Sequence, residues 1–320
     1  MIESLKARVN WVDMARGMAI LAVVFGHSTS PFSGFIFTWH MPLFFFLSGF
    51  FIKPKENTWN FLFKNFKKLI SLFLIFALLG FLATYLKNIL LSRENLEIWQ
   101  SLVGIFFWMN MDHLNHYGLV LWFLPALFWG KSLVFLLLKK INSKLLVGII
   151  LSVLFFLILR LDKLLPFGLD VGVMSGMWIF LGYVFFNFVK EYFFRYKIII
   201  ALGLLVLAVV LPIPVLNLAT KSFSNPVYNV FYSLSFVLLI ILFMQKISNY
   251  VKTGNWLFYL GANSLFIFIF HVYTNNVAYL IGEKYWLGFW PLTLSLSFIL
   301  IYLFLWLYRK YFNFGIFKYV

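Results

Sequence analysis

Asp13, Arg16 and His27 lie within a single apolar run, Val12 to Ser28. An ionisable group costs free energy in hydrocarbon, so each of the three needs a function or a partner. Eleven positions separate Arg16 from His27. At about 100° and 1.5 Å per residue, that spacing puts both on one helix face, about 16 Å apart along the axis. Asp13 falls on nearly the same face. The pair also suits a local ion pair one turn apart, which is its plainer reading. The run reads as one wall of a polar path through a membrane.

Two more histidines, His40 and His271, fall at a depth similar to that of His27 once the chain is threaded through a bilayer. Taken singly, each is accounted for by a packed imidazole bonded to a backbone carbonyl. Three at one level point to a shared polar site, and histidine is the side chain best suited to move a proton near neutral pH. Lys64, Lys67 and Lys68 lie at the opposite, inner level, as does Arg16. For Lys53 and Lys55, loop charge is sufficient explanation. A cation cluster at a membrane mouth is a candidate phosphate site. A long, thin donor with phosphates at one end and a reactive group at the other, such as coenzyme A, matches that separation. The segment from Trp108 to Gly118 is rich in aromatic and hydrogen-bonding groups suited to a sugar, though an interfacial aromatic belt would look the same. Within it, His113 and His116 at i, i+3 are too few to hold a metal, so no metal is expected.

The elements that must position these groups are membrane helices. Only 11% of the 320 residues are charged while 63% are hydrophobic, which excludes a soluble domain of this size. The net charge of +16 does not imply nucleic acid, because the basic residues sit in short loops between apolar spans. The absence of cysteine excludes disulfides, thiolate nucleophiles and Cys-ligated metal centres. The first 30 residues imitate a secretory signal, but Asp13 and Arg16 interrupt the apolar run, so retention as the first helix is expected.

The hydropathy pattern predicts an all-α polytopic bundle of about ten spans, near 11–29, 34–53, 67–88, 118–138, 145–160, 171–189, 197–213, 227–245, 255–276 and 289–309. A short apolar stretch from Ile98 to Met109 reads as interfacial or re-entrant. Lysines and arginines favour one side by about three to one, which places both termini, Lys6 and Arg8 included, in the cytoplasm. Pro42 and Pro125 fall inside predicted spans and suggest kinks there. The expected organisation is a single transmembrane domain over residues 1–320.

The residues also carry a family resemblance. The first span, with Arg8, Trp11, Asp13, Arg16, Gly17, Val23, Gly26 and His27, resembles the R…W-x-D-x-x-K-G…V-x-x-G-H pattern of family 3 membrane acyltransferases, especially the fucose 4-O-acetylase-like branch. Trp39 to Gly49, WHMPLFFFLSG, resembles that family's second span. Leu121 to Phe128, LWFLPALF, resembles its fourth-span motif, and Asn263-Ser264 followed by His271 its late motif. One departure stands out. Where the family often has two arginines three apart before span 3, this chain has KNFKKLISLF, with Asn65 and Lys68 at the two places.

The resemblance implies transfer of an acyl group, usually acetyl, from cytoplasmic acetyl-CoA to a hydroxyl of an envelope or exported glycan or its lipid-linked precursor, in the inner membrane. It implies His27 as the catalytic base or brief acyl carrier, and Asp13 as the group fixing Arg16. Arg16, Lys64, Lys67 and Lys68 would hold the CoA phosphates. His40, Ser48, Trp122, His271, His113 and His116 would line the acceptor site. A transporter or flippase for a lipid-linked glycan or small solute is the alternative, since many spans and a polar path serve either.

Overall fold

The computed structural model describes residues 10–90, 92, 97–107, 119–161, 165–251 and 255–311, except the side chains of 119, 208 and 209. Lys6, Arg8, His113 and His116 lie outside the described residues. The fold is all-α, with 82% of the described residues helical. In chain order the helices are α1 (Asn10–Gly26), α2 (Ser33–Phe37), α3 (His40–Gly49), α4 (Thr58–Leu90), α5 (Ile98–Phe106), α6 (Phe123–Lys140) and α7 (Lys144–Leu159). They continue as α8 (Pro166–Arg195), α9 (Lys197–Val210), α10 (Pro226–Ser248), α11 (Trp256–Ala262), α12 (Ser264–Trp286) and α13 (Trp290–Tyr311). Two short strands, β1 (Leu216–Asn217) and β2 (Ser222–Phe223), pair antiparallel before α10; the sequence pattern did not predict them.

Among the described residues, six helices are long and apolar enough to cross a bilayer: α4, α6 with the turn before it, α8, α10, α12 and α13. Helices α1, α7 and α9 are apolar but shorter, at 17, 16 and 14 residues. Large apolar side chains such as Ile198, Ile199, Leu202, Phe304 and Trp306 stand exposed along α9 and α13. Water does not tolerate such faces and lipid does.

Several predicted spans differ in detail. The second is two helices, α2 and α3, separated at Thr38 and Trp39. Pro42 therefore lies in the first turn of α3 rather than in a helix interior, where a missing N–H costs little and no kink results. Pro125 likewise follows the change from a 3-10 turn, Leu119–Trp122, into α6. The ninth span is divided at Asn263 into a two-turn helix, α11, and the longer α12. Helices α4 and α8 each contain a π-helical turn, Phe66–Ile70 and Phe185–Val189.

The chain forms two compact units, one of Met1–Leu47 with Val184–Val320, the other Ser48–Tyr183. In the first, α1 crosses α11 at glycines. A Cβ on Gly17 would overlap the Leu257 carbonyl, and one on Gly261 would overlap the Asp13 carbonyl. Without side chains at the crossing, the two backbones meet directly, the usual device for close helix packing in lipid. The second unit is built on aromatic packing, with Phe61 stacked on Phe135 at 4.0 Å and Trp178 fully buried against Phe155.

Candidate active site

Helix α1 ends where the chain reads GHSTSP. The His27 N–H still donates to the Val23 carbonyl at 3.1 Å, and Ser28 closes the turn by donating its backbone N–H and its hydroxyl to Phe25 O. Pro31 cannot continue the helix. His27 is thus carried on the last turn of a buried helix, with its own side chain exposed. Gly26 lets α2 come close: a Cβ there would press on Ile36 and Phe37 at 3.0 Å. Phe37 packs against the His27 ring, centroids 5.3 Å apart, and on its other side against His40 at 5.4 Å. From α12, His271 reaches the His27 ring at 5.2 Å. The three histidines expected at one depth therefore form one cluster.

The bonds of two of them set their chemistry. His40 Nδ1 lies 2.8 Å from Ile36 O, and His271 Nδ1 lies 2.6 Å from Phe268 O. A carbonyl only accepts, so Nδ1 carries the proton in both, and in the neutral ring Nε2 is left as an acceptor. The backbone-bonded reading of a single buried histidine thus holds for both rings, beside the shared-site reading. His271 Nε2 is buried and has no hydrogen-bond partner among the described residues. One turn along the same face of α12, Asn275 donates its amide N–H to Val24 O at 3.1 Å, which fixes the amide orientation. Its Oδ1 is also buried without a partner. Buried polar atoms are ordinarily paired, so two such acceptors a turn apart await donors.

Asn275 lines a cavity of about 250 Å³ with His27, Ser28, Thr29, Thr293 and Ser297 among others; His271 is not one of its lining residues. Thr293 and Ser297 come from α13 and are both buried. Sequence reasoning missed Asn275, Thr293 and Ser297, because hydroxyls and amides in spans most often bond to their own helix and carry no motif.

At the other end of α1, Asp13 is buried and holds Arg16 at 2.9 Å, Nη1 to Oδ1, the ion pair read from the spacing. Lys64, Lys67 and Lys68 are exposed on α4, the last two within its π-helical turn. They belong to the second unit, as do the half-buried Ser48 at the end of α3 and Trp122, whose ring meets Phe123 edge-on.

A family model described as an acyltransferase domain, that of the family 3 acyltransferases, matches residues 9–310. The chain belongs to that family. It is a membrane acyltransferase, which decides between the two readings of the sequence. No curated protein and no solved structure matches it.

In this acyltransferase the late Asn-Ser motif has a visible structural part. The Asn263 amide donates to Tyr259 O, and its Oδ1 accepts from Arg309 of α13 at 2.6 Å. Arg309 also lies over the Tyr259 ring. The break between α11 and α12 is pinned there, two turns before His271. The departure before span 3 also resolves locally. Asn65, standing where the family pattern has an arginine, is buried and donates to Phe61 O at 2.8 Å. Its Oδ1 accepts from Lys131 of α6 at 2.8 Å. Lys131, hidden in the apolar run FWGKS, escaped the sequence reading.

Proposed function

We propose that this acyltransferase is an O-acetyltransferase that moves the acetyl group of acetyl-CoA to a sugar hydroxyl of an envelope or exported glycan or its lipid-linked precursor. The observation that carries the reading is the unpartnered acceptor Asn275 Oδ1, on a residue that lines the same cavity as His27. Such a wall asks for hydrogen-bond donors, and a polyhydroxylated acceptor brings several. The volume suits one sugar residue. Acetyl and CoA follow from the resemblance of the first span to the fucose 4-O-acetylase-like branch.

In this reading the acceptor hydroxyl gives its proton to His27 as its oxygen attacks the thioester carbonyl. The tetrahedral intermediate collapses with loss of the CoA sulfur, which takes the proton back from His27. The products are the sugar ester and free CoA thiol. His40 and His271, each tied to a carbonyl through Nδ1–H, keep the rings around His27 in place. The donor phosphates are assigned to the cations Arg16, Lys64, Lys67 and Lys68, and Asp13 holds Arg16 in place. The enzyme is placed in the inner membrane with both termini cytoplasmic, on the strength of the loop charges.

The test is acetyl transfer from labelled acetyl-CoA to extracted envelope glycans, in membranes carrying the wild type or His27→Ala. Label entering glycan only with the wild type supports the reading. Equal label removes His27 from the mechanism, and no label with any acceptor or acyl donor, together with no CoA binding, rejects the acetyl-CoA assignment.

A further inference from the structure

His271 is fully buried on α12, and its two ring nitrogens are treated unequally. Nδ1–H donates to Phe268 O at 2.6 Å, while Nε2 has no partner among the described residues. A neutral imidazole carries one ring proton, so this Nε2 accepts and cannot donate. His271 does not line the polar cavity, so the donor it lacks is sought among its neighbours in the protein.

The neighbours narrow the choice. Thr274 gives its hydroxyl proton to His271 O at 2.9 Å, and the Asn275 amide donates to Val24 O at 3.1 Å. His40 has spent its own ring proton on Ile36 O, which leaves its Nε2 an acceptor too. That leaves His27, whose ring centroid lies 5.2 Å from that of His271. In an imidazole each nitrogen stands about 1.1 Å from the ring centre, so two facing nitrogens at this separation approach to about 3 Å, a hydrogen-bond length. The rings are tilted by 46°. Facing them takes a rotation about the His27 Cβ–Cγ bond, a soft torsion in histidine.

We infer that His271 is a positioning residue: its Nε2 accepts a hydrogen bond from one ring N–H of His27, and so fixes which His27 nitrogen carries the basic lone pair. This rests on the reading of His27 as the general base. A neutral His27 left to itself has two tautomers, and only one offers its lone pair to the acceptor hydroxyl. With His271 taking one N–H, the unprotonated nitrogen is the other. When His27 takes up the hydroxyl proton, both its nitrogens carry N–H, and His271 Nε2 holds one of them. The proton then leaves to the CoA sulfur, and none passes to His271. The partner is neutral, so the pair adds no second charge to an apolar bundle, where a buried carboxylate in its place would be costly.

Two substitutions separate the two nitrogens of His271. An asparagine amide reaches to the place of Nδ1, and a glutamine amide to that of Nε2. His271→Asn therefore keeps the donor to Phe268 O and loses the acceptor. His271→Gln supplies an acceptor oxygen and gives up the bond to Phe268 O. In full-length protein in lipid nanodiscs, His271→Asn should lower kcat for acetyl transfer by about 10- to 100-fold, the effect of a lost bond to a charged group. Its acceptor KM and melting temperature should hardly move. His271→Gln should keep kcat within a few-fold and melt lower. The opposite order, an active Asn variant and an inactive Gln variant, assigns His271 a structural role and overturns the inference. An independent readout is the ring-nitrogen NMR spectrum of isotope-labelled histidine, with His27 assigned by its loss in His27→Ala. One His27 tautomer in the wild type and a mixture in His271→Asn is expected. An even mixture in the wild type, or the same single tautomer in both proteins, overturns the inference; the wild-type spectrum decides if neither variant folds. No transfer from acetyl-CoA by the wild type rejects the donor reading, and equal transfer by His27→Ala rejects the base. In either case the spectrum still judges the His27–His271 pair.

Discussion

Each unit buries polar side chains among apolar helices, and two clusters, one in each, treat them differently. In the second unit, Lys131 reaches Asn65 and Asn65 in turn caps Phe61 O, a chain that ends on the backbone. In the first unit, His271 and Asn275 each spend one side on a backbone carbonyl and leave the other side without a donor. The first arrangement accounts for itself as structure, since a cation in lipid needs an acceptor and has one. The second is incomplete among the described residues. Polar groups in spans therefore do not mark a site by their presence; unsatisfied ones beside a cavity are the candidates, and the second unit holds one too, the buried Ser132 Oγ beside an apolar cavity of about 690 Å³.

Substitutions can break or sharpen this contrast. The largest effect is expected from His27→Ala, which should lower acetyl transfer by about a hundredfold or more, a loss typical of a missing general base. Melting temperature should hardly move, because the side chain is exposed. Next is Asn65→Leu, which removes one acceptor of Lys131 and should lower unfolding stability by about 1–2 kcal/mol. The double variant Asn65→Leu/Lys131→Met should recover most of that stability and retain transfer. A double variant that is stable but inactive would turn Lys131 from a structural residue into a functional one. Asn275→Ala should raise KM for the acceptor about tenfold, close to 1.4 kcal/mol, with a smaller loss of stability from the bond to Val24 O. Smallest on the same KM is Thr293→Val, expected to raise it a few-fold, about 0.5–1 kcal/mol, with a loss of stability as well because Thr293 Oγ1 accepts from Trp286 Nε1–H at 3.0 Å. Acceptor KM and thermal denaturation, measured side by side, separate the two units if the contrast holds.

The sequence made some of this legible and hid the rest for physical reasons. Apolar runs of bilayer length showed a polytopic helical protein, and the Asp13–Arg16 pair and the meeting of His27, His40 and His271 followed from spacing and depth. The division of the second span did not show, because Thr38, Trp39 and His40 sit in uniformly apolar surroundings and Pro42 reads equally as a kink or as a first-turn residue. The turn between β1 and β2 was invisible within a run taken as loop. Lys131 was lost because one cation barely alters the hydropathy of a 21-residue stretch. Asn275, Thr293 and Ser297 lie on two helices that only tertiary packing brings together. A resemblance at His27 points to a candidate base without pointing to the walls around it.

The π-helical turn at Phe66–Ile70 has a consequence for the angular phase of α4. A π turn accommodates one more residue than the α-helix would, so everything before it is turned by about 100° from where an unbroken helix would put it. Deleting a single residue there would restore the regular winding without touching any charge. Lys64 and Asn65 would then swing about a quarter-turn around the axis, and the buried amide that meets Lys131 would point elsewhere. The orientation of the basic mouth of this helix is thus encoded by a count of residues as well as by their identity.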